Sequence, residues 1–231
     1  VIDEAHVIFA LYKRWMADPE WARVPFIGLS ATPWTKGLGK LYDDLIIAAT
    51  TQDLIDRGFL SPFKMFAPAS GKKPNLSGVK IVAGDYHEGE LSAVMREPEV
   101  VGDAVETWLA KGESRPTFCF GVDCAHAQVL QARFLAAGVP TEYIDAHTPL
   151  AERQKIRERF HAGTTRVVCS VGCLTMGIDW DVRCISFCRP TKSEMLYCQI
   201  VGRGLRNAPG KDYLLVNDKD ICATMETASN P

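Results

Sequence analysis

Short apolar runs alternate with stretches of helical character, and this alternation constrains the fold more than any other feature of the sequence. Strands are predicted at residues 117–121, 141–144, 166–169, 184–187 and 213–216. Helices are predicted between them, at 124–137, 149–161 and 193–203. Parallel strands need a crossover connection, which is usually a helix. The pattern therefore predicts an α/β protein with parallel sheets and helices on both sheet faces.

The N-terminal part of the sequence shows a shorter version of this pattern. A strand is predicted at 24–29, and helices are predicted at 7–17 and 51–57. The periodicity fails from residue 68, where Gly, Pro, Lys and Asp cluster, so this stretch is interpreted as a linker. The expected organisation is a partial first lobe at 1–67, a linker at 68–97, a nearly complete second lobe at 98–218 and a tail at 219–231.

Composition excludes several classes of protein. The chain has 231 residues, of which 23% are charged and 47% hydrophobic, as expected for a globular protein rather than a disordered or fibrous one. The formal net charge of −2 gives no global attraction to nucleic acid or to a membrane, so any such binding must come from local patches. The sequence shows no basic leader and no apolar run of membrane-spanning length, so a cytoplasmic protein without membrane contact is expected.

The eight cysteines show no Cys-x-x-Cys pair. Cys184 and Cys188 have a spacing that zinc sites use, but they lie in a predicted strand, where residues at even spacing face the same side. Reduced, buried thiols are the favoured interpretation.

The first segment with chemical content is Val1-Ile-Asp-Glu-Ala-His6. Apolar residues that lead into Asp3 and Glu4 indicate a carboxylate pair at the carboxyl end of a buried strand, where open α/β sheets bind ligands. One carboxylate can hold Mg²⁺ while its neighbour orients an attacking water. The alternative is an exposed acidic pair that opens a helix and stabilises it through the helix dipole.

The second segment is Gln199-Ile-Val-Gly-Arg-Gly-Leu-Arg206. Helical spacing places Gln199, Arg203 and Arg206 on one face. Gly202 and Gly204 would each cost a helix about 1 kcal/mol, a cost that close backbone approach or a bend can justify. Paired arginines suit a phosphoryl group whose charge is redistributing, whereas a solvated basic face is the alternative.

The third segment, residues 167–179, is a predicted strand followed by a small, polar loop and Gly177-Ile-Asp179. Such a loop can offer backbone N–H groups to phosphates, although an ordinary strand and turn would look the same.

Together with Ser30-Ala-Thr32, these segments resemble, in order and spacing, motifs II, III, V and VI of the superfamily 2 helicases, with 117–121 similar to the motif IV strand. The resemblance covers nearly the whole chain. Within the superfamily it is closest to the branch with RadD-like DNA repair helicases and type III restriction enzyme motor subunits. It implies two RecA-like lobes, ATP and Mg²⁺ as cofactors, and nucleic acid, DNA in particular, as partner.

The resemblance also implies residue roles. Asp3 would help hold Mg²⁺, and Glu4 would position the hydrolytic water. His6 would couple the ATP state to the second lobe through Gln199. Ser30 and Thr32 would link hydrolysis to movement of the nucleic-acid strand. The remaining implied roles are phosphate contact by Arg203 and Arg206, nucleotide contact by Gly177 and Asp179, and nucleic-acid contact by Ser170 or Thr175.

One departure from the family is large: the sequence contains no G-x-x-x-x-G-K-[ST] phosphate loop. The chain is therefore interpreted as a helicase or translocase fragment that begins within the first lobe and needs a missing N-terminal segment or a partner subunit. A catalytically inactive protein that binds nucleic acid or a partner helicase is the alternative. Candidate basic residues for backbone contact are Lys36, Lys40, Arg153, Lys155, Arg157, Arg159 and Lys192, although a solvated helix face is favoured for 153–159.

Overall fold

A computed structural model of the chain describes residues 1–66, 73–175 and 179–218. The chain divides between Asp53 and Leu54 into two compact units, here called unit 1 and unit 2. The helices are α1 Ala10–Ala17, α2 Thr51–Asp56, α3 Glu88–Met95, α4 Pro98–Lys111, α5 Cys124–Ala136, α6 Leu150–His161 and α7 Glu194–Leu205. The strands are β1 Phe63–Phe66, β2 Ile81–Val82, β3 Asp85–Tyr86, β4 Thr117–Phe120, β5 Thr141–Ile144, β6 Val167–Ser170, β7 Cys184–Phe187 and β8 Leu214–Asp218.

Unit 2 is built on a six-stranded sheet in the order β1-β8-β7-β4-β6-β5. Every neighbouring pair in this sheet is parallel. The predicted α/β class is thereby confirmed. Since the strands are parallel, the loops that follow them all emerge at one edge, and the segment after β6 lies at that edge.

The two faces of the sheet are covered by different helices. On one face, Phe118, Val168 and Ile185 pack with residues of α6 and α7, including Phe160 and Ile200. On the other face, the intervening strand residues pack with α4 and α5 through Val105, Trp108, Leu130 and Phe134. Successive residues of a strand face opposite sides of the sheet. Because helices cover both sides, the residues facing either side are buried and mostly apolar.

The cysteines follow the same alternation. Cys184 and Cys188 are buried and belong to the core on the α4–α5 face. Their sulfur atoms have different neighbours, since Cys188 Sγ lies 3.8 Å from Cys119 Sγ and Cys184 Sγ accepts from Asn217. Both are buried thiols outside any disulfide, as the favoured interpretation predicts.

The structure corrects the predicted boundary and linker. Strand β1 falls within the predicted first lobe, yet it pairs with β8 in the sheet of unit 2. The described part of the predicted linker, 73–97, contains a β2–β3 hairpin and helix α3. Leu91 and Met95 of α3 are buried in a separate small cluster. The periodicity was obscured because the hairpin contributes only two residues per strand.

Unit 1 contains less secondary structure than predicted. The predicted strand at 24–29 is reduced to a single parallel bridge between Ile2 and Gly28. A strand at this place would need partners, and the two residues before Asp3 supply only one rung. Consequently Ile27 and Leu29 remain about half exposed.

We expect unit 1 to open far more readily than unit 2. Its buried hydrophobic residues are Ile2 and Ala5, whereas it exposes a series of large apolar side chains: Phe9, Leu11, Trp34, Leu45, Ile46 and Ile47. Low burial gives a low free energy of local opening. Native-state hydrogen exchange should therefore show protection in residues 1–53 at least about 100-fold below that of strands β4, β6 and β7. Equal protection in the two units would contradict this expectation.

Within the described ranges, no helix is long and apolar enough to cross a membrane, and the longest has 14 residues.

Candidate functional site

In unit 1 the structure brings the predicted motif II and motif III residues together around the buried His6 ring. His6 Nδ1 lies 3.1 Å from Ser30 Oγ and 3.3 Å from Glu4 Oε2. The backbone N–H of Thr32 donates to Ser30 Oγ over 3.0 Å, and Thr32 is itself buried. Glu4, His6, Ser30 and Thr32 thus form one continuous chain of contacts.

Backbone pairing explains why these two segments meet. Ile2 N–H donates to Ile27 O, and Leu29 N–H donates to Ile2 O, both over 2.8 Å. A Cβ at Gly28 would lie 2.8 Å from the Ala5 side chain and 2.8 Å from the Tyr42 ring, so the approach requires glycine. Glu4 adopts a φ of 50°, an unusual conformation that marks strained, often functional positions.

Asp3 and Glu4 are exposed, so the buried-strand expectation holds for Ile2 only. Asp3 Oδ1 accepts from the backbone N–H of Glu4 over 2.9 Å, which leaves carboxylate oxygen available to solvent. Mg²⁺ is bound by one or two carboxylates together with water and phosphate oxygens, so an exposed carboxylate of this kind fits that ion. Among the described residues, no group of three or more His, Cys, Asp or Glu side chains could form an all-protein metal site.

In unit 2 the predicted motif VI residues lie on α7, except Arg206, which directly follows the helix. Ser193 begins the helix, and its Oγ accepts from Leu196 N–H over 3.3 Å. Arg203 Nε donates to Thr175 O over 2.6 Å, and Arg206 Nη1 forms a 3.0 Å ion pair with Asp179. Motif V and motif VI are therefore joined by both arginines. Gln199 lies on the same helix and is half-buried, and its predicted contact with His6 stays a prediction.

The two glycines of α7 have different surroundings. A Cβ at Gly204 would lie 2.5 Å from Leu214 Cδ1 and 3.1 Å from Ile185 Cγ1, because the helix packs directly on β7 and β8. A Cβ at Gly202 would meet nothing within 4 Å. Close approach thus accounts for Gly204 but not for Gly202.

The candidate nucleic-acid contacts in motif V are not open to solvent. Ser170 has no exposed surface, and within the described part of the chain its hydroxyl has no hydrogen-bond partner. Thr175 is 5% exposed, and its hydroxyl donates to Gly172 O over 2.5 Å. Gly177 lies outside the described residues. The contact roles of the two hydroxyls therefore need a rearrangement of the motif V loop.

The candidate basic residues on α6 are largely used within the fold. Arg159 Nη2 donates to Glu142 over 2.5 Å and to Glu152 over 3.0 Å, and the pairing lowers the pKa of Glu142. Arg153 donates to three carbonyl oxygens of the loop that follows β5. Both arginines are half-buried and bonded within the fold, so the solvated helix face favoured for 153–159 describes Lys155 and Arg157 rather than these two residues. The remaining candidates are exposed: Lys36, Lys40, Lys155, Arg157 and Lys192.

Sequence analysis missed Lys211, which contacts the carboxyl end of α7. The Gly210-Lys211 pair is followed by Asp212 rather than by Ser or Thr, so it does not match a phosphate loop. A lysine shortly after a helix can also satisfy the last carbonyl oxygens of that helix, and this signal could have found it.

Comparison with known proteins adds to this geometry. Residues 101–208 match the family described as "Helicase conserved C-terminal domain". A Saccharomyces cerevisiae protein named ATP-dependent helicase IRC3 is 33% identical over 243 aligned positions, which cover 100% of this chain and 35% of the yeast protein. A 51.5 kDa protein of Lactococcus phage (isolate 7-9) is 28% identical, covering 86% of this chain and 44% of the phage protein. The chain thus spans between about a third and a half of these relatives.

Among solved structures, the fold is similar to the ATP-dependent type ISP restriction-modification enzyme LlaBIII bound to DNA. The TM-score is 0.52 with 17% sequence identity, over 71% of this chain and 12% of that enzyme. At this identity the likeness shows the fold alone.

Proposed function

We propose that this chain, which carries a helicase conserved C-terminal domain and is homologous to superfamily 2 helicases, couples ATP hydrolysis to movement along nucleic acid. The resemblance seen in the sequence is confirmed by these matches. The observation that carries the finer proposal is the joining of motif V to motif VI, where Arg203 contacts Thr175 and Arg206 pairs with Asp179.

In this proposal Arg206 is the residue that exchanges partners. Its ion pair with Asp179 is solvent-exposed, with 43% and 85% of the two side chains accessible, so the pair contributes little to stability. The guanidinium can therefore leave Asp179 for a phosphate at low cost. A planar guanidinium matches a phosphate with two parallel hydrogen bonds, which is the geometry that phosphoryl transfer requires.

The motif II and motif III contacts supply the coupling. ATP and Mg²⁺ would bring the charge and the phosphoryl chemistry, with Asp3 as a Mg²⁺ ligand. Glu4 would orient the attacking water. Because Glu4 also contacts His6, a change at its carboxylate alters the charge beside a buried imidazole that touches Ser30. Ser30 in turn holds the backbone of Thr32, so the change reaches motif III.

The phosphate loop would come from another segment or from a partner subunit, because this sequence contains none. That absence is also the observation that favours the second candidate function, a catalytically inactive protein that binds nucleic acid or a partner helicase. The two candidates differ in whether Arg206 contacts nucleotide.

We propose DNA as the nucleic-acid partner, contacted through its backbone by the exposed basic side chains. Such contacts release counterions, so affinity should fall steeply with salt and depend little on base sequence. Competition between DNA and RNA of equal length would show which nucleic acid the chain prefers.

Nucleotide binding tests the proposal. Titration of a fluorescent ATP analogue with Mg²⁺ into the chain should give a dissociation constant that Arg206→Ala raises about 10-fold, the size expected for one charge-assisted hydrogen-bonded contact. Arg157→Ala, which removes an exposed arginine of α6, is the matched control and should leave the constant unchanged.

One outcome would contradict the proposal. Equal affinity of the wild type and Arg206→Ala would remove the arginine from the nucleotide site and favour the binding-only alternative. We also expect little or no ATP turnover by the chain alone, with or without DNA, since the main phosphate cradle is missing. Rapid turnover that Glu4→Gln abolishes would contradict that expectation.

A further inference from the structure

The carboxyl end of α7 is closed by the ammonium group of Lys211. Lys211 Nζ donates to Arg206 O over 2.8 Å, to Val182 O over 2.7 Å and to Gly204 O. The last carbonyl groups of a helix lack partners within the helix, so a cation placed there satisfies them and interacts favourably with the helix dipole. Here one side chain satisfies two carbonyls of motif VI and a third from the segment before β7.

The turn that precedes Lys211 is itself fixed. Arg183 donates to Pro209 O over 2.8 Å and to Gly210 O over 2.9 Å, while also pairing with Asp181. Gly210 has a φ of 70°, which suits glycine. Lys211 therefore follows a turn whose backbone is fixed by hydrogen bonds.

A second anchor lies on the other side of the helix end. The backbone N–H of Ser61 donates to Leu205 O over 2.7 Å, and Ser61 Oγ donates to Asn207 Oδ1 over 2.8 Å. Leu60 also forms an antiparallel bridge with Arg206. Consecutive carbonyls of residues 204–206 are thus all satisfied, two of them by Lys211.

We propose that Lys211 is a positioning residue for motif VI, which fixes the backbone from which Arg206 projects toward its phosphate or carboxylate partner. This rests on the phosphate role of Arg206 under the proposed function. Lys211 touches no reacting atom itself. It acts through the two carbonyls, Gly204 O and Arg206 O, that flank the position of Leu205 at the end of the helix.

The number of donors makes this arrangement sensitive to protonation. An ammonium group has three N–H donors, which match the three carbonyl acceptors, whereas a neutral amine has two. Burial lowers the pKa of Lys211 to about 8, with Asp181 opposing the shift and Arg183 and Arg115 adding to it. These three are the charged groups that act on the lysine, from the segments before β7 and β4. Loss of the third proton would leave one of the three carbonyls without a donor from Lys211.

Nuclear magnetic resonance of the whole chain tests the proposal without any ATPase activity. The carbonyl ¹³C shifts of Gly204 and Arg206 should titrate together with Lys211 ¹⁵Nζ, with a midpoint near pH 8. At pH 7, Lys211→Met should lower the heteronuclear NOE of the Arg206 Nε–Hε group, as should raising the wild type to pH 9.5. Lys80→Met, which changes an exposed lysine paired with Glu90, is the matched control and should do neither.

The outcomes separate the two proposals. Carbonyl shifts that do not follow Lys211, or an Arg206 side chain equally ordered in Lys211→Met, would overturn the positioning role. Should Lys211→Met fail to fold, the wild-type titration alone decides. Binding of the fluorescent ATP analogue at pH 7 should weaken about 10-fold in Lys211→Met, as in Arg206→Ala. A wild type that binds no nucleotide, but shows the coupled titration, would overturn the proposed function and leave the positioning role of Lys211 in place.

Discussion

Replacing Gly204 with alanine is expected to lower the free energy of unfolding by about 2 kcal/mol, while the same change at Gly202 raises it by up to about 1 kcal/mol. Both positions lie in α7, so the gain in helix propensity is the same for both. The opposite signs come from packing. The new methyl group at 204 would overlap Leu214, which is fully buried and cannot move aside, whereas the space beside Gly202 is open.

Urea unfolding followed by circular dichroism measures the difference, with the two variants as matched controls for each other. A Gly204→Ala protein at least as stable as Gly202→Ala would show that α7 is not seated on β7 and β8 as described. The Gly204→Ala change should also broaden the Arg203 and Arg206 side-chain resonances, because Arg203 lies in α7 and Arg206 directly follows its last residue.

Acid is expected to destabilise unit 2 through His126, by up to about 3 kcal/mol between pH 6.5 and pH 4. The ring is 1% exposed, and its Nδ1 accepts from the backbone N–H of Val122 over 3.1 Å. Burial lowers the pKa of His126 to about 4, although the nearby Asp123 carboxylate acts in the opposite direction. Below pH 6.5 the unfolded chain binds a proton that the folded chain excludes, so stability falls as the pH falls toward 4.

The pH dependence of the unfolding free energy, measured between pH 4 and pH 8, checks this sign. His126→Gln should flatten the profile, since a neutral amide takes up no proton. His147→Gln replaces an exposed histidine of the loop after β5 and should leave the profile as in the wild type. A profile that is flat in the wild type, or equally steep in His126→Gln, would contradict the assignment.

The sequence predicted the strands of unit 2 well because their burial is complete. Each of β4, β6 and β7 is buried at every residue, so each is a short, mostly apolar stretch without charged residues. Motif spacing predicted Gln199, Arg203 and Arg206 on one helix face. The helix ends at Leu205 and the backbone of Arg206 is not helical, so helical periodicity relates only Gln199 and Arg203.

Other features depend on partners that local pattern does not reveal. The helix predicted at 149–161 begins at Leu150, and the hydroxyl of Thr148 donates to Asp145 instead of capping the helix. The linker prediction failed at α3 because Leu91 and Met95 are buried in contact with Val122, which comes much later in the sequence. Lys211 was missed for the same reason, since the carbonyls it satisfies are identified only once α7 and the segment before β7 are in place.

The pairing of β1 with β8 has a consequence for how the chain is made. These strands are neighbours in the sheet, but about 150 residues separate them. A ribosome adds roughly 5–20 residues per second, so β1 leaves the ribosome about 10–30 s before its partner exists. During that interval the backbone N–H and C=O groups along the edge of β1 have no neighbouring strand to pair with. Such an unpaired edge favours association between nascent chains. Completion of the sheet, and with it the seating of α7, must therefore follow the synthesis of the last strand.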